Sequence, residues 1–169
     1  MGKMIVVDLT RCVGCHSCEI ACAVSHSRAK DLFEAAKAGE KPGTRLSVLH
    51  HNEKPIPLHC HHCDDPVCMA VCPSGAVHRS GVREPVLIDE EKCVGCRMCL
   101  QACPFGMITL NANGKGVLKC DLCAERLAEE KIPGCVESCP SGALLFTEES
   151  QANKAKHHRL AACLARMDG

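Results

Sequence analysis

Lys92-Cys93-Val94-Gly95-Cys96-Arg97-Met98-Cys99-Leu100-Gln101-Ala102-Cys103-Pro104 carries the spacing Cys-x2-Cys-x2-Cys-x3-Cys-Pro. That is the run by which bacterial proteins hold iron–sulfur clusters. Three cysteines two residues apart can wrap one face of a small cuboidal cluster in a tight loop. The fourth, one helical step further on, faces away and serves a second cluster. Pro104 then stops the ladder and turns the chain outward.

The run, or a variant of it, occurs four times. The first group, Cys12, Cys15, Cys18 and Cys22, keeps the spacing, but Ala23 stands where proline would be. The second, Cys60, Cys63, Cys68, Cys72 and Pro73, has four residues between its second and third cysteines. The third is Cys93, Cys96, Cys99 and Cys103. The fourth, Cys120, Cys123, Cys135, Cys139 and Pro140, has eleven residues in that gap. Repetition extends beyond the thiols. Pro73-Ser74-Gly75-Ala76-Val77, Pro104-Phe105-Gly106-Met107-Ile108 and Pro140-Ser141-Gly142-Ala143-Leu144 share the form Pro-x-Gly-x-apolar, which marks duplicated units. Arg11, Lys92 and Lys119 each precede the opening cysteine of a group; they read equally well as charges that raise a cluster potential and as solvated loop charges.

Composition narrows the class. At 169 residues the chain holds one or two small domains, and 17 cysteines leave a disulfide scaffold or a metal protein. The N-terminal Met1–Asp8 stretch has no signal-length apolar run, no twin-arginine pair opens the chain, and no stretch approaches a membrane span. A cytoplasmic address is therefore expected, where thiols stay reduced and act as ligands. There is no Trp, no Tyr and only 3 Phe, so bound metal must supply stability that aromatic burial does not. Formal charge is 0 with thiols neutral. Four oxidised cubanes with their thiolates add roughly −8, which argues against nucleic acid as a partner.

Zinc sites usually bring two Cys-x2-Cys pairs across a longer spacer, and groups of four at cluster spacing are not that pattern. Four [4Fe–4S] clusters are the expectation. Cys163 is left over and reads as a small buried hydrophobe of the last helix. His59, His61 and His62 bracket Cys60, yet each group already has four thiols, so histidine ligation is not expected. The 10 histidines receive no catalytic role, and Asp64-Asp65 and Glu148-Glu149 read as solvated faces. No Gly-x-Gly-x-x-Gly, P-loop or nucleophile motif offers a seat to nicotinamide, flavin or nucleotide.

The pattern of the remaining residues predicts an α+β chain of short elements. Lys3–Leu9 reads as a strand, and Cys18 to about Lys37 as one helix ended by Gly39 and Pro42. Strands are expected at Arg45–Leu49 and Pro55–Leu58, at Ala76–His78 and Val86–Ile88, and at Met107–Leu110 and Gly116–Lys119. Ala124–Lys131 reads as a helical surface insertion and Glu148–Met167 as a polar C-terminal helix.

Groups in the order tight, loose, tight, loose, with the long gap in the last, resemble a known family. It comprises the four-cluster ferredoxin-like subunits that serve dimethyl-sulfoxide-reductase-type enzymes, formate dehydrogenases, hydrogenases and carbon monoxide dehydrogenase. The resemblance runs from Lys3 to about Thr147. Without the C-terminal anchor and long insertions of respiratory members, the chain looks like the short soluble branch, which includes the small subunit of bacterial tungsten aldehyde oxidoreductases. The resemblance implies two interlocked two-cluster ferredoxin-like halves within residues 1–147, an outer half (1–40 with 116–147) and an inner half (45–115), followed by a helical tail (148–169). It also implies nested ligands: Cys12, Cys15 and Cys18 with Cys139; Cys120, Cys123 and Cys135 with Cys22; Cys60, Cys63 and Cys68 with Cys103; Cys93, Cys96 and Cys99 with Cys72. Spacing alone leaves sequential pairing equally open.

With four clusters and no substrate site, the expected role is a non-catalytic wire of an anaerobic oxidoreductase. The partner expected first is a tungsten or molybdenum aldehyde or formate enzyme, then carbon monoxide dehydrogenase or a hydrogenase, with a possible second redox subunit. A free diffusible carrier and a self-stacking conducting filament are the rivals.

Overall fold

The computed structural model describes the backbone of residues 2–82, 84–112 and 114–164. In chain order the elements are β1 (Lys3–Val7), α1 (Ser17–Ser25), α2 (Leu32–Lys37), β2 (Leu46–His51), β3 (Lys54–His59), α3 (Val67–Ala70), β4 (Val77–His78), β5 (Leu87–Ile88), α4 (Met98–Ala102), β6 (Thr109–Leu110), β7 (Val117–Leu118), α5 (Ala124–Ala128), α6 (Gly134–Glu137), β8 (Leu144–Glu148) and α7 (Glu149–Leu164). This is the small α+β architecture expected, with helices and strands cut short by the cysteine loops between them.

Among the described residues the strands form four separate antiparallel pairs. Three are local: β2 with β3, β4 with β5, and β6 with β7. The β2–β3 turn uses Asn52 and Glu53 with φ of 48° and 64°, a mirror-image turn whose twist suits the flanking strands. The fourth pair is long-range. β1 and β8 run antiparallel with Ile5 opposite Phe146, closing the chain from just before the first cysteine group to just after the last. β8 was not expected as a strand; its five residues gain a ladder only because β1 lies alongside.

The single helix expected over Cys18–Lys37 is instead two. Side chain competes with backbone at the break: Ser27 Oγ donates to the Val24 carbonyl (2.7 Å) and accepts from Lys30 N–H (2.9 Å). Lys30 takes a left-handed φ of 55°. Asp31 then restarts the helix by accepting from the N–H groups of Phe33 and Glu34 at 2.9 and 3.0 Å. The insertion of the fourth group is helical only over α5. It is not wholly superficial, because Leu127 packs against the core.

Among the described residues, buried apolar side chains form two clusters. One gathers Ile5, Leu46, Val48, Leu122 and Leu144 around Cys18, Cys22, Cys120 and Cys135. The other gathers Val77, Val86, Ile108 and Val117 around Cys99, with Cys68, Cys72, Cys93 and Cys103 at its margin. Of the three phenylalanines only Phe146 packs on a core; Phe33 and Phe105 are 78% and 50% exposed. Each core is built around thiols rather than aromatic rings. The α1–α6 contact is close: a Cβ on Gly134 would strike the Ser25 hydroxyl and come within 3.3 Å of the Ala21 carbonyl. The C-terminal helix, expected from Glu148, begins at Glu149, lies on β1 and β8, and buries Ala152. The Cys163 side chain lies outside the described residues.

Candidate metal centres

The Cys-Pro-x-Gly repeat has a structural reason. Gly75, Gly106 and Gly142 adopt φ of 66°, 63° and 60° and donate their N–H to the carbonyls of Cys72, Cys103 and Cys139. This turn brings the next backbone amides over the sulfur. Val77 N–H donates to Cys72 Sγ (3.4 Å), Met107 N–H to Cys103 Sγ (3.4 Å) and Ala143 N–H to Cys139 Sγ (3.2 Å). A thiolate ligand is stabilised by such donors, and they tune the potential of whatever it binds. Cys22 lacks the motif and lies in α1, since Ala23 lets the helix continue. Its sulfur receives the Arg45 N–H at 3.3 Å instead, from just before β2.

The opening loops repeat a second device. The residue before the second cysteine is left-handed in all four groups: Gly14 (68°), His62 (48°), Gly95 (69°) and Leu122 (57°). In the loose groups the strained non-glycine residues also donate backward. His62 N–H reaches Cys60 Sγ and Leu122 N–H reaches Cys120 Sγ, both at 3.4 Å. Arg79 braces the second group from outside, donating to the carbonyls of His62 (2.8 Å) and Cys63 (2.6 Å).

Mutual influence of the thiols shows which of them the fold brings together. Ser17 hydrogen bonds pull the Cys15 thiol down, while burial and the nearby Cys139 sulfur act against them. Burial pushes the Cys135 thiol up, and Cys120, Cys22, Cys123 and Cys18 add to it. Burial lifts Cys120 to about 12, with further contributions from Cys22 and Cys60. Cys68 is raised by burial and then by Cys60 and Cys103, with Lys119 opposing. Cys99 is raised by burial, then by Cys72, Cys96 and Cys68. Packing agrees: Cys22 lies in one core with Cys18, Cys120 and Cys135, Cys139 packs against that core, and Cys68, Cys72 and Cys103 surround Cys99 in the other.

The three histidines near Cys60 all have protein neighbours. His59 Nδ1 lies 2.9 Å from the Cys60 carbonyl. The His61 ring packs edge-on against Phe105 at 4.5 Å, and His62 Nδ1 accepts the Val86 N–H at 3.1 Å. Of the basic residues before the groups, Arg11 and Lys92 are exposed, and Lys92 pairs with Asp89 at 3.0 Å. Lys119 is different: it is 3% exposed.

A family model described as "4Fe-4S dicluster domain" matches residues 53–149. The B subunit of the anaerobic dimethyl sulfoxide reductase of Escherichia coli is 41% identical, with 92% of this chain and 78% of that protein covered. The putative electron transport protein YsaA of Escherichia coli is 36% identical over 95% of this chain and 97% of its own length. The putative oxidoreductase AegA of Escherichia coli is 38% identical over 95% of this chain, which spans only 24% of AegA. The chain belongs to the dimethyl sulfoxide reductase iron–sulfur subunit family. The cofactors of this iron–sulfur subunit are four [4Fe–4S] clusters, and its donor set fits them. Sixteen cysteines among the described residues carry free thiols, and six of their sulfurs receive a backbone N–H.

One polar network of the iron–sulfur subunit has no counterpart in the sequence reading. Asp121, directly after Cys120, accepts from Arg45 (2.6 Å) and from Cys123 N–H (2.9 Å), and its other contact is His26 Nε2 at 3.1 Å. His26 Nδ1 sits 2.7 Å from the Cys22 carbonyl, one helical turn back. The i to i+4 spacing of Cys22 and His26 and the acid beside Cys120 were the available signals, but only the fold makes them meet. Burial alone would lower His26, yet hydrogen bonds with Asp121 and Cys22 outweigh it and raise it to about 9. Burial would raise Asp121, but His26 and Arg45 hold it well below the usual carboxylate range.

The linkage has a definite sign. The His26 contribution is complete below its ordinary value of 6.5 and is lost as pH rises through about 9. That of Asp121 is complete above its ordinary 3.8 and is lost as pH falls through its depressed value. Thermal stability is therefore expected to decline between about pH 6.5 and 9.5 by up to about 3 kcal/mol. His26→Gln should flatten that decline, as measured by melting across the range; an unchanged slope would remove His26 from the account.

Proposed function

We propose that this protein is the electron-transfer subunit of an oxidoreductase complex, moving single electrons between a catalytic partner and a second redox centre. One observation carries the reading: thiols of each proposed set act on thiols of the next, so the sets follow one another through the fold. The set of Cys12, Cys15, Cys18 and Cys139 adjoins that of Cys120, Cys123, Cys135 and Cys22 through the influence of Cys18 on Cys135. The latter adjoins Cys60, Cys63, Cys68 and Cys103 through Cys60 and Cys120. That set adjoins Cys93, Cys96, Cys99 and Cys72 through Cys68 and Cys99. Each outermost set has one exposed thiol. Cys15 and Cys96 are exposed, whereas Cys22, Cys120, Cys123 and Cys135 are buried. Bound clusters supply one-electron acceptors; the chain donates N–H groups to their ligands and buries the sulfurs of Cys22, Cys120, Cys123 and Cys135.

These neighbour relations favour the nested ligand sets over sequential pairing. The two thiol-centred cores likewise suit an outer half of residues 1–40 with 116–147 and an inner half of 45–115, with 148–169 as an accessory tail. We assign catalysis to the partner. A tungsten or molybdenum aldehyde or formate enzyme of the anaerobic cytoplasm is the first choice, and carbon monoxide dehydrogenase or a hydrogenase follows. Among the described residues no helix is long and apolar enough to cross a membrane.

Anaerobic affinity purification from the native host, with metal analysis and identification of companion chains, tests this. Tungsten or molybdenum beside a large subunit is expected, while nickel would move the partner to the second choice. A lone brown protein that stays monomeric in light scattering would replace the subunit reading with a diffusible carrier. Concentration-dependent growth in scattering would replace it with a stacked filament.

A further inference from the structure

Lys119 is a buried cation with neutral hydrogen-bond partners. It follows β7 and immediately precedes Cys120, and Nζ donates to the Cys120 carbonyl at 2.7 Å. Its second hydrogen bond crosses to the other core, to the carbonyl of Val86, itself 1% exposed. From Val86 the path continues: its N–H donates to His62 Nδ1 (3.1 Å), and His62 N–H donates to Cys60 Sγ (3.4 Å). Through these bonds Lys119 stands between the thiols of Cys120, Cys123, Cys135 and Cys22 on one side and those of Cys60, Cys63, Cys68 and Cys103 on the other.

Burying an ammonium against carbonyls alone is unfavourable, because neither partner carries a formal charge. Other charges nearby do not relieve it. Asp121 is held by Arg45 and His26. Arg79 is a second cation, donating to the His62 and Cys63 carbonyls. His62 adds no charge, because its Nδ1 accepts the Val86 N–H and so carries no proton. What remains on both flanks is thiolate-bound cluster, an anion in either redox state and more negative by one when reduced.

We infer that Lys119 is a potential-setting residue of the electron path: its buried charge favours the reduced state of the two medial clusters over the terminal pair. A fixed positive charge lowers the energy of the more negative state, and burial keeps mobile ions from screening it. Electrons crossing from one core to the other thereby meet a stabilised pair at the junction. The assignment of medial and terminal clusters rests on the ligand sets proposed above.

Three variants separate charge from packing, read by potentiometric titration with low-temperature paramagnetic resonance of the four-cluster protein. Lys119→Gln keeps a donor but no charge, Lys119→Met keeps neither, and Lys119→Arg keeps both. Gln and Met are expected to lower the potentials of two clusters by at least about tenfold in reduced-to-oxidised ratio, about 59 mV for a one-electron couple. The other two clusters should move less, and Arg should stay near the unaltered protein. Medial potentials unchanged in Lys119→Gln would overturn the inference and leave Lys119 as a strap between cores. Should the uncharged variants fail to load iron, the unaltered protein decides. Between low and high salt the couple of the buried Cys22, Cys120, Cys123 and Cys135 set should hold within about twofold, while the terminal ones, with Cys15 and Cys96 open to solvent, shift further. A buried couple that moves as far would overturn the inference. Cys22→Ser tests the ligand sets separately. A wrong pairing changes which clusters are called medial, whereas a wrong role for Lys119 leaves all four potentials in place.

Discussion

Cys22→Ser is expected to remove or convert the cluster anchored by Cys120, Cys123 and Cys135, and to leave that of Cys12, Cys15 and Cys18 intact. In sequence Cys22 belongs to the first group, so the intuitive outcome is the opposite. In the fold, α1 turns Cys22 inward, where it is 4% exposed and packs with Cys120 and Cys135. Cys139 instead lies beside Cys15 at the open end. Serine is a poor substitute for thiolate, and burial penalises its deprotonation further. Iron should fall from roughly 16 to roughly 12 per chain, with the spectrum of one interior cluster lost. Cys139→Ser should give the reciprocal result, disturbing the cluster nearest the exposed Cys15. Loss of the Cys12, Cys15 and Cys18 cluster in the Cys22 variant would establish sequential pairing.

Removing the iron altogether is expected to unfold the protein rather than to empty it. The two cores hold few large side chains, and thiols occupy the centre of each. Leaving those thiols without metal exchanges strong coordination for weak van der Waals contact, and metal-binding free energy here is folding free energy. Chelation under anaerobic conditions should abolish the cooperative thermal transition and most near-ultraviolet dichroism. Reloading carries a pH signature. The thiols of the opened chain, with ordinary values of about 8.5, must lose their protons before they bind iron. Reconstitution should therefore be faster at about pH 8 than at about pH 6.5. An apoprotein that melts cooperatively near the temperature of the loaded form would show that apolar packing suffices.

Sequence by itself determined the cofactor and marked the sixteen thiols proposed to hold it. Cluster ligation demands thiols at fixed local spacings, and local spacing is what a sequence displays. The same holds for the Pro-x-Gly-x repeat, whose left-handed glycine and returning amide act within five residues of the cysteine they serve. The hairpins at β2–β3, β4–β5 and β6–β7 were legible for the same reason, apart from one or two residues at their ends. The break between α1 and α2 has local signals in Ser27, whose hydroxyl competes for backbone groups, and in the N-cap Asp31. Tertiary structure alone decided the rest. β8 becomes a strand because β1 is there to pair with it, and that pairing carries Cys139 back to Cys15. His26, Arg45 and Asp121 form one network only once α1 and the fourth group are in contact. Lys119 looks identical in sequence to Lys92, a basic residue one place before a cysteine. One is solvated and the other buried between two cores, because β7 delivers Lys119 into the junction where the Val86 carbonyl oxygen accepts from it. Burial is a property of neighbours distant in the chain, and no local pattern encodes it.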